Sequence, residues 1–151
     1  MAGTDPHFEN LDAWVSAGIR QTVPMAGLPA AFGSTYEKVA AAVAEAGGRV
    51  VGPAYGEYFG VPTDVVDVEI GFGIDRALDV PGVSIVERPV TRAVVATHVG
   101  PYETLQDSYA ELMPWLELEQ AELGESMFEW YLTGPETDPS AMVTKLVFPL
   151  A

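Results

Sequence analysis

Apolar positions in this chain switch between a period of about two and a period of about 3.6, and they do so twice in the same order. Ile19–Val23 is a short strand-like run followed by a turn rich in glycine and proline. Ser34-x-x-Glu37 then has the form of a capping box, and Tyr36, Val39, Ala40 and Val43 recur at helical spacing while Glu37, Lys38 and Glu45 point elsewhere. Gly47-Gly48 predicts the end of that helix. Tyr55–Phe59 and Val65–Phe72 follow as two strands joined through Gly60 and Pro62. Residues 75–82 read as a linker, and residues 1–10 as a poorly ordered lead-in.

The second pass opens with Val83–Arg88 and Ala93–His98, β-branched stretches on either side of Pro89 that predict one strand with a bend or bulge. Gly100-Pro101 turns the chain into a second helix. Its stripe is Leu105, Tyr109, Leu112 and Leu116, with Asp107 and Glu111 on the other face. Pro114 interrupts this pattern and predicts a kink or a late start. Met127–Leu132 and Met142–Phe148 are the last strands, linked by the turn-rich segment Gly134-Pro135-Glu136-Thr137-Asp138-Pro139.

The two passes align. A shift of 73 residues pairs Gly27 with Gly100, Tyr36 with Tyr109, Val50 with Leu123, Tyr55 with Phe128, Tyr58 with Tyr131 and Pro62 with Pro135. Beyond Pro135 the shift grows to 76, matching Phe72 with Phe148 and Ile74 with Leu150. Short loops between successive strands imply antiparallel pairing. The expected fold is therefore α+β, a duplicated βαββ module, in one domain with a first module at about 11–74 and a second at about 83–151.

Composition narrows the chemistry. The 151 residues contain no cysteine, which excludes thiol catalysis, disulfides and cysteine-ligated metal, and two histidines cannot build a typical zinc site unless carboxylates complete it. Seven Lys and Arg against 22 Asp and Glu give a formal charge of −15, which repels a phosphate backbone and argues against direct nucleic-acid binding. The same field favours cationic ligands, although most of the charge is read as solubilising. No apolar run is long enough to span a membrane and the N-terminus lacks the form of a signal peptide, so a cytoplasmic protein without membrane contact is expected. No cofactor or metal is expected either.

The most informative stretch is Met127-Phe128-Glu129-Trp130-Tyr131. Alternation puts Met127, Glu129 and Tyr131 on one face and Phe128 and Trp130 on the other. Glu129 is either a buried acid with an upward pKa shift and a functional role or a residue on a solvated face, and periodicity leaves both open. Its first-half counterpart is Gly56, which leaves room for a ligand or marks a bulge. Among the aromatics, Tyr55, Tyr58, Tyr102, Tyr109, Trp115, Trp130 and Tyr131 are groove candidates through stacking and cation–π contacts. Tyr109 and Trp115 fall on or near the helical stripe and read as packing, and Tyr102, beside the turn, as a pocket rim. His98 stands without a partner motif and reads as structural or exposed. Glu57 with Glu69 and Glu103 with Glu111 are carboxylate pairs of the kind that arise freely in so acidic a chain. The candidate ligand contacts are Glu129, Tyr131, Tyr102, Gly56, Tyr58, Trp115 and Met127.

Thr97-His98-Val99-Gly100-Pro101-Tyr102, then Tyr109-Ala110-Glu111-Leu112-Met113-Pro114-Trp115-Leu116, then Phe128-Glu129-Trp130-Tyr131, then Thr144-Lys145-Leu146-Val147-Phe148-Pro149-Leu150, resemble the second half of GyrI-like domains, also known as AraC-type effector-binding domains. The first half fits more loosely, because Met25-Ala26-Gly27-Leu28 lacks the Gly-Pro-Tyr signature. The resemblance implies two modules related by a pseudo-twofold axis, a curved antiparallel sheet with two main helices on one face, and a central groove. It implies that Glu129 contacts hydrophobic, cationic ligands there, with Tyr102 and Tyr131 framing it. Many relatives carry a DNA-binding helix-turn-helix domain, which is not expected within these residues. Stand-alone relatives include proteins resembling a gyrase inhibitor, and hydrolases that open the cyclopropane ring of DNA-alkylating natural products. The leading expectation is a small-molecule-binding domain. The alternatives are a hydrolase, with Glu129 as general base and Tyr102 or Tyr131 polarising the leaving group, and a module that binds a protein such as gyrase.

Overall fold

A computed structural model describes residues 4–60, 62–134 and 136–151. In chain order the elements are β1 (His7–Leu11), β2 (Trp14–Pro24), α1 (Leu28–Glu45), β3 (Val50–Phe59), β4 (Val65–Ile74), β5 (Ser84–Arg88), β6 (Thr91–Val99), α2 (Leu105–Leu118), β7 (Ser126–Tyr131) and β8 (Val143–Pro149). A short 3-10 turn leads into each helix. The chain divides into two compact units, one of residues 12–90 and the other of the segment through Leu11 together with 91–151.

Both units are α+β, and every described strand pairing in them is antiparallel. The first has strand order β3-β4-β2-β5 and carries α1. The second has order β1-β6-β8-β7 and carries α2. Leaving out the edge strands β5 and β1, each unit is one βαββ module with the same strand order, so the repeat read from the sequence is a repeat of structure.

The edge strands differ from the sequence expectation. Val83–Arg88 does not open the second half: β5 pairs with β2, from Trp14↔Arg88 to Gly18↔Ser84, in the first unit. Pro89 therefore separates two strands that lie in different units and does not bend one. His7–Leu11, within the lead-in expected to be poorly ordered, form an ordered strand, because β1 pairs with β6 from His7↔Val95 to Leu11↔Thr91. Phe8 packs on Trp115 with ring centroids 5.5 Å apart, which ties this polar five-residue strand to the core of its unit.

The helices were legible in type but not at every boundary. Helix α1 begins at Leu28 and not at Ser34, because Pro29 in its first turn fixes a helical φ and forgoes an N–H that needs no partner there. Ser34 lies inside the helix, its hydroxyl directed at the Ala31 carbonyl. Gly47 ends α1 with φ +91°, a backbone state that a side chain disfavours. Helix α2 starts at Leu105 and runs through Pro114, where the missing N–H leaves the Ala110 carbonyl without its helical donor.

Each helix covers one face of the strands of its own unit. Ala17, Val39, Val43 and Ile74, with a neighbouring cluster of Val66, Val68 and Ile70, fill the first unit. Val94, Ala96, Leu112, Leu116, Leu146 and Phe148 fill the second. The strand registers coincide under the sequence offsets. Gly56↔Ile70 and Tyr58↔Val68 in the first unit answer to Glu129↔Leu146 and Tyr131↔Thr144 in the second. On the adjoining strand the ladder, and not the sequence offset, matches Gln21↔Val68 to His98↔Thr144. Pro135, the repeat partner of Pro62, lies outside the described residues.

Candidate functional site

Strand β7 determines which of its side chains meet α2. Met127 packs into the core under the helix, so Glu129 and Tyr131, two and four residues on, share that face. Glu129 is consequently buried, with 8% of its surface exposed, and does not sit on a solvated sheet face.

Its carboxylate is held from two sides. The Tyr109 hydroxyl, from the middle of the α2 stripe, donates to Glu129 Oε2 at 2.5 Å. The Tyr131 hydroxyl donates to Oε1 at 2.7 Å. Tyr109 also lies 3.7 Å from Met127 Sδ. Tyr102 stands edge-on to Tyr131 with centroids 5.7 Å apart and is 44% exposed. Partial burial, and then the charge on Glu129, push the Tyr102 hydroxyl above its ordinary pKa. The turn that presents Tyr102 contains Gly100 at φ +133°, again a conformation that favours glycine.

Next to this group lies a second polar pair. His98 is buried, with Nδ1 2.6 Å from Ser108 Oγ and Nε2 3.0 Å from the Pro101 carbonyl oxygen. A carbonyl only accepts, so in the neutral ring the proton sits on Nε2 and Ser108 donates to Nδ1. Across β8, Thr144 separates His98 from Tyr131 in the same row of the sheet. Gln21 donates to Thr35 Oγ1 at 2.9 Å at the matching place in the first unit. A strand side chain bonded to a helix hydroxyl in both modules identifies His98–Ser108 as a tie between β6 and α2.

Thus five residues converge: Glu129, Tyr131, Tyr109, Tyr102 and Met127. Of the remaining candidates, Trp115 packs against Phe8 in the core of the same unit. Gly56 and Tyr58 belong to the other unit, on the helix-covered face of β3, where a Cβ on Gly56 would lie 3.0 Å from the Phe32 ring. Tyr109 was read as packing, and its ring does pack; its hydroxyl is what the sequence reading missed. The available signal was that a tyrosine in a buried stripe needs a partner for its O–H.

The first unit holds a separate polar cluster on the face of its sheet away from α1. Arg88 Nη2 donates to Glu57 Oε1 at 2.9 Å and to Glu69 Oε2 at 3.1 Å, and its Nε donates to Ser16 Oγ at 3.0 Å. Tyr55 donates to Glu69 Oε2 at 2.7 Å, and Trp14 lies edge-on to the Tyr55 ring. Burial raises the pKa of Glu69, against opposing contributions from Tyr55 and Arg88. Glu57 and Glu69 do come together, with Arg88 binding both, and the cluster secures β5 to the sheet. Glu111 instead accepts from the Thr4 backbone N–H at 3.0 Å. Among the described residues no group of three or more histidines and carboxylates is placed to hold a metal. No helix among them is long and apolar enough to cross a membrane.

Residues 4–151 match the family described as the GyrI-like small molecule binding domain. Among solved structures, the C-terminal domain of EcmrR is similar with a TM-score of 0.78 at 22% identity, covering 96% of this chain and 96% of that one. SAV2435 bound to tetraphenylphosphonium gives 0.71 at 16% identity, covering 97% and 94%. A hydrolase from Listeria innocua gives 0.70 at 17% identity, covering 100% and 94%. At these identities the likeness is one of fold. No curated protein gives a significant match to the sequence.

Proposed function

The chain belongs to the GyrI-like small-molecule binding domain family, and from that premise we propose that it binds an apolar small molecule carrying a positive charge beside Glu129. The observation that carries this reading is the buried carboxylate clasped by two phenol hydroxyls on the apolar, helix-covered face of β7. Hydroxyl donors lessen the cost of desolvating a carboxylate but bring no charge of their own, and a cationic ligand adds one. Tyr102 at the rim and Tyr131 next to Glu129 offer ring faces and edges to such a ligand, and aromatic rings attract cations. The formal charge of −15 draws cations toward the whole molecule. SAV2435, of the same fold, is bound to tetraphenylphosphonium, a lipophilic cation.

The same geometry favours binding over turnover. The Tyr131 hydroxyl that a hydrolase would turn toward a leaving group is donated to Glu129, and both carboxylate oxygens already accept a proton donor. Titration calorimetry with tetraphenylphosphonium tests the reading. Glu129→Gln preserves shape and removes the charge, and it should weaken binding at least about tenfold, equivalent to about 1.4 kcal/mol. Neutral triphenylphosphine oxide should bind wild type and variant alike. Equal affinity of both proteins for the phosphonium would refute the assignment.

A further inference from the structure

The helix-covered face of the second unit carries one polar atom that the fold leaves unanswered. Thr144 is fully buried, and among the described residues its Oγ1 has no hydrogen-bond partner. Register places its side chain in the row between Tyr131 and His98, diagonal to Glu129. The corresponding residue of the first unit is Val68, equally buried and packed in an apolar cluster. The two side chains have nearly the same shape, so packing would be served by valine in either place. A buried hydroxyl without a partner costs more than the methyl it replaces, and such an atom calls for an explanation outside the fold itself.

The rest of this surface repeats between units: Tyr58 answers to Tyr131, Tyr36 to Tyr109, and Gln21–Thr35 to His98–Ser108. The helix-covered positions on the two paired strands where an apolar or absent side chain becomes a buried polar one are Gly56 to Glu129 and Val68 to Thr144. They are diagonal neighbours on adjacent strands. We propose that Thr144 is a specificity-determining residue of the Glu129 site, its hydroxyl bonding a polar group of the ligand, so that the preferred ligands are apolar cations that also carry a hydroxyl or carbonyl. This rests on the reading of Glu129 as the ligand's counter-charge.

The test compares tetraphenylphosphonium, which has no hydrogen-bonding group, with the ortho, meta and para isomers of (hydroxyphenyl)triphenylphosphonium. Each is titrated into wild type, Thr144→Val, Thr144→Ser and Glu129→Gln. Thr144→Val should leave tetraphenylphosphonium affinity within about twofold while weakening at least one hydroxyl isomer by about 3–10-fold, the range of one hydrogen bond. Thr144→Ser, which keeps the hydroxyl, should bind that isomer as wild type does. The inference is overturned if Thr144→Val binds all the probes as wild type does, or weakens them all equally, which would be a packing effect. Failure of every phosphonium to bind wild type would instead overturn the functional reading, and this inference with it.

Discussion

Removing the hydroxyl of Tyr109 tests whether the clasp on Glu129 is real and how much it contributes. Tyr109→Phe keeps the ring in the α2 stripe and deletes a donor 2.5 Å from a carboxylate oxygen on a residue only 8% exposed. Hydrogen bonds to charged groups contribute about 1.5–3 kcal/mol, and burial keeps water from replacing this one. A chain of 151 residues unfolds with an entropy of about 0.3 kcal/mol/K, so the expected fall in Tm is about 5–9 °C. The control is the same change in a Glu129→Gln background, where the acceptor is neutral and the bond contributes about 0.5–1.5 kcal/mol, or about 2–5 °C. Calorimetric or circular-dichroism melts of the four proteins give the coupling directly. If Tyr109→Phe costs the same in both backgrounds, its hydroxyl stabilises through something other than the charge on Glu129, such as Met127 Sδ at 3.7 Å, and the picture of a held carboxylate fails.

Three further expectations concern the first unit. A Cβ on Gly71 would lie 1.9 Å from the Ala17 carbonyl oxygen across the β2–β4 ladder, so Gly71→Ala should cost at least about 3 kcal/mol or abolish folding. Gly33, inside α1 with nothing within 4 Å of its Cβ position, should by contrast gain about 0.5–1 kcal/mol as alanine; a loss of stability in thermal melts would refute that. The pKa of Glu69 is raised by burial above its ordinary 4.5, so the folded state binds a proton there more readily than the unfolded state does. The stability this contributes is fully present below the unfolded pKa and is lost as pH rises through the folded value. The Tm of wild type minus that of Glu69→Gln should therefore fall as pH rises from about 4 toward neutrality, and a rising difference would show the carboxylate to be a net stabiliser.

Periodicity was enough to find both helices and the paired strands of each module, because those elements bury one face and their apolar positions recur accordingly. It missed β1, whose sequence HFENL has only two apolar residues, Phe8 and Leu11, too few to show a period, and is held by pairing with β6 and by Trp115. It joined β5 to β6 because nothing in a β-branched run states which sheet it will enter; that is decided by the ladder with β2 and by Arg88 reaching Glu57 and Glu69. The inward direction of Glu129 was a parity question, and parity fixes which residues share a face without saying which face is covered. Contact with α2 through Met127 and Tyr109 supplied that missing bit.

Because the molecule contains the module twice, it also separates what the fold requires from what the site requires. At the place of Glu129 the first unit has glycine, and Phe32 of α1 fills the space above it at 3.0 Å from where a Cβ would stand. The 73-residue offset pairs Phe32 with Leu105, a smaller side chain. With no carboxylate to meet, Tyr36 donates instead to the Tyr55 backbone carbonyl at 3.3 Å, whereas Tyr109 donates to Glu129. One βαββ unit thus packs its helix on an apolar, ring-filled surface, and the other accepts a buried acid at the same address. Since the first unit reaches the same architecture with glycine at that place, the fold itself does not require a buried carboxylate there.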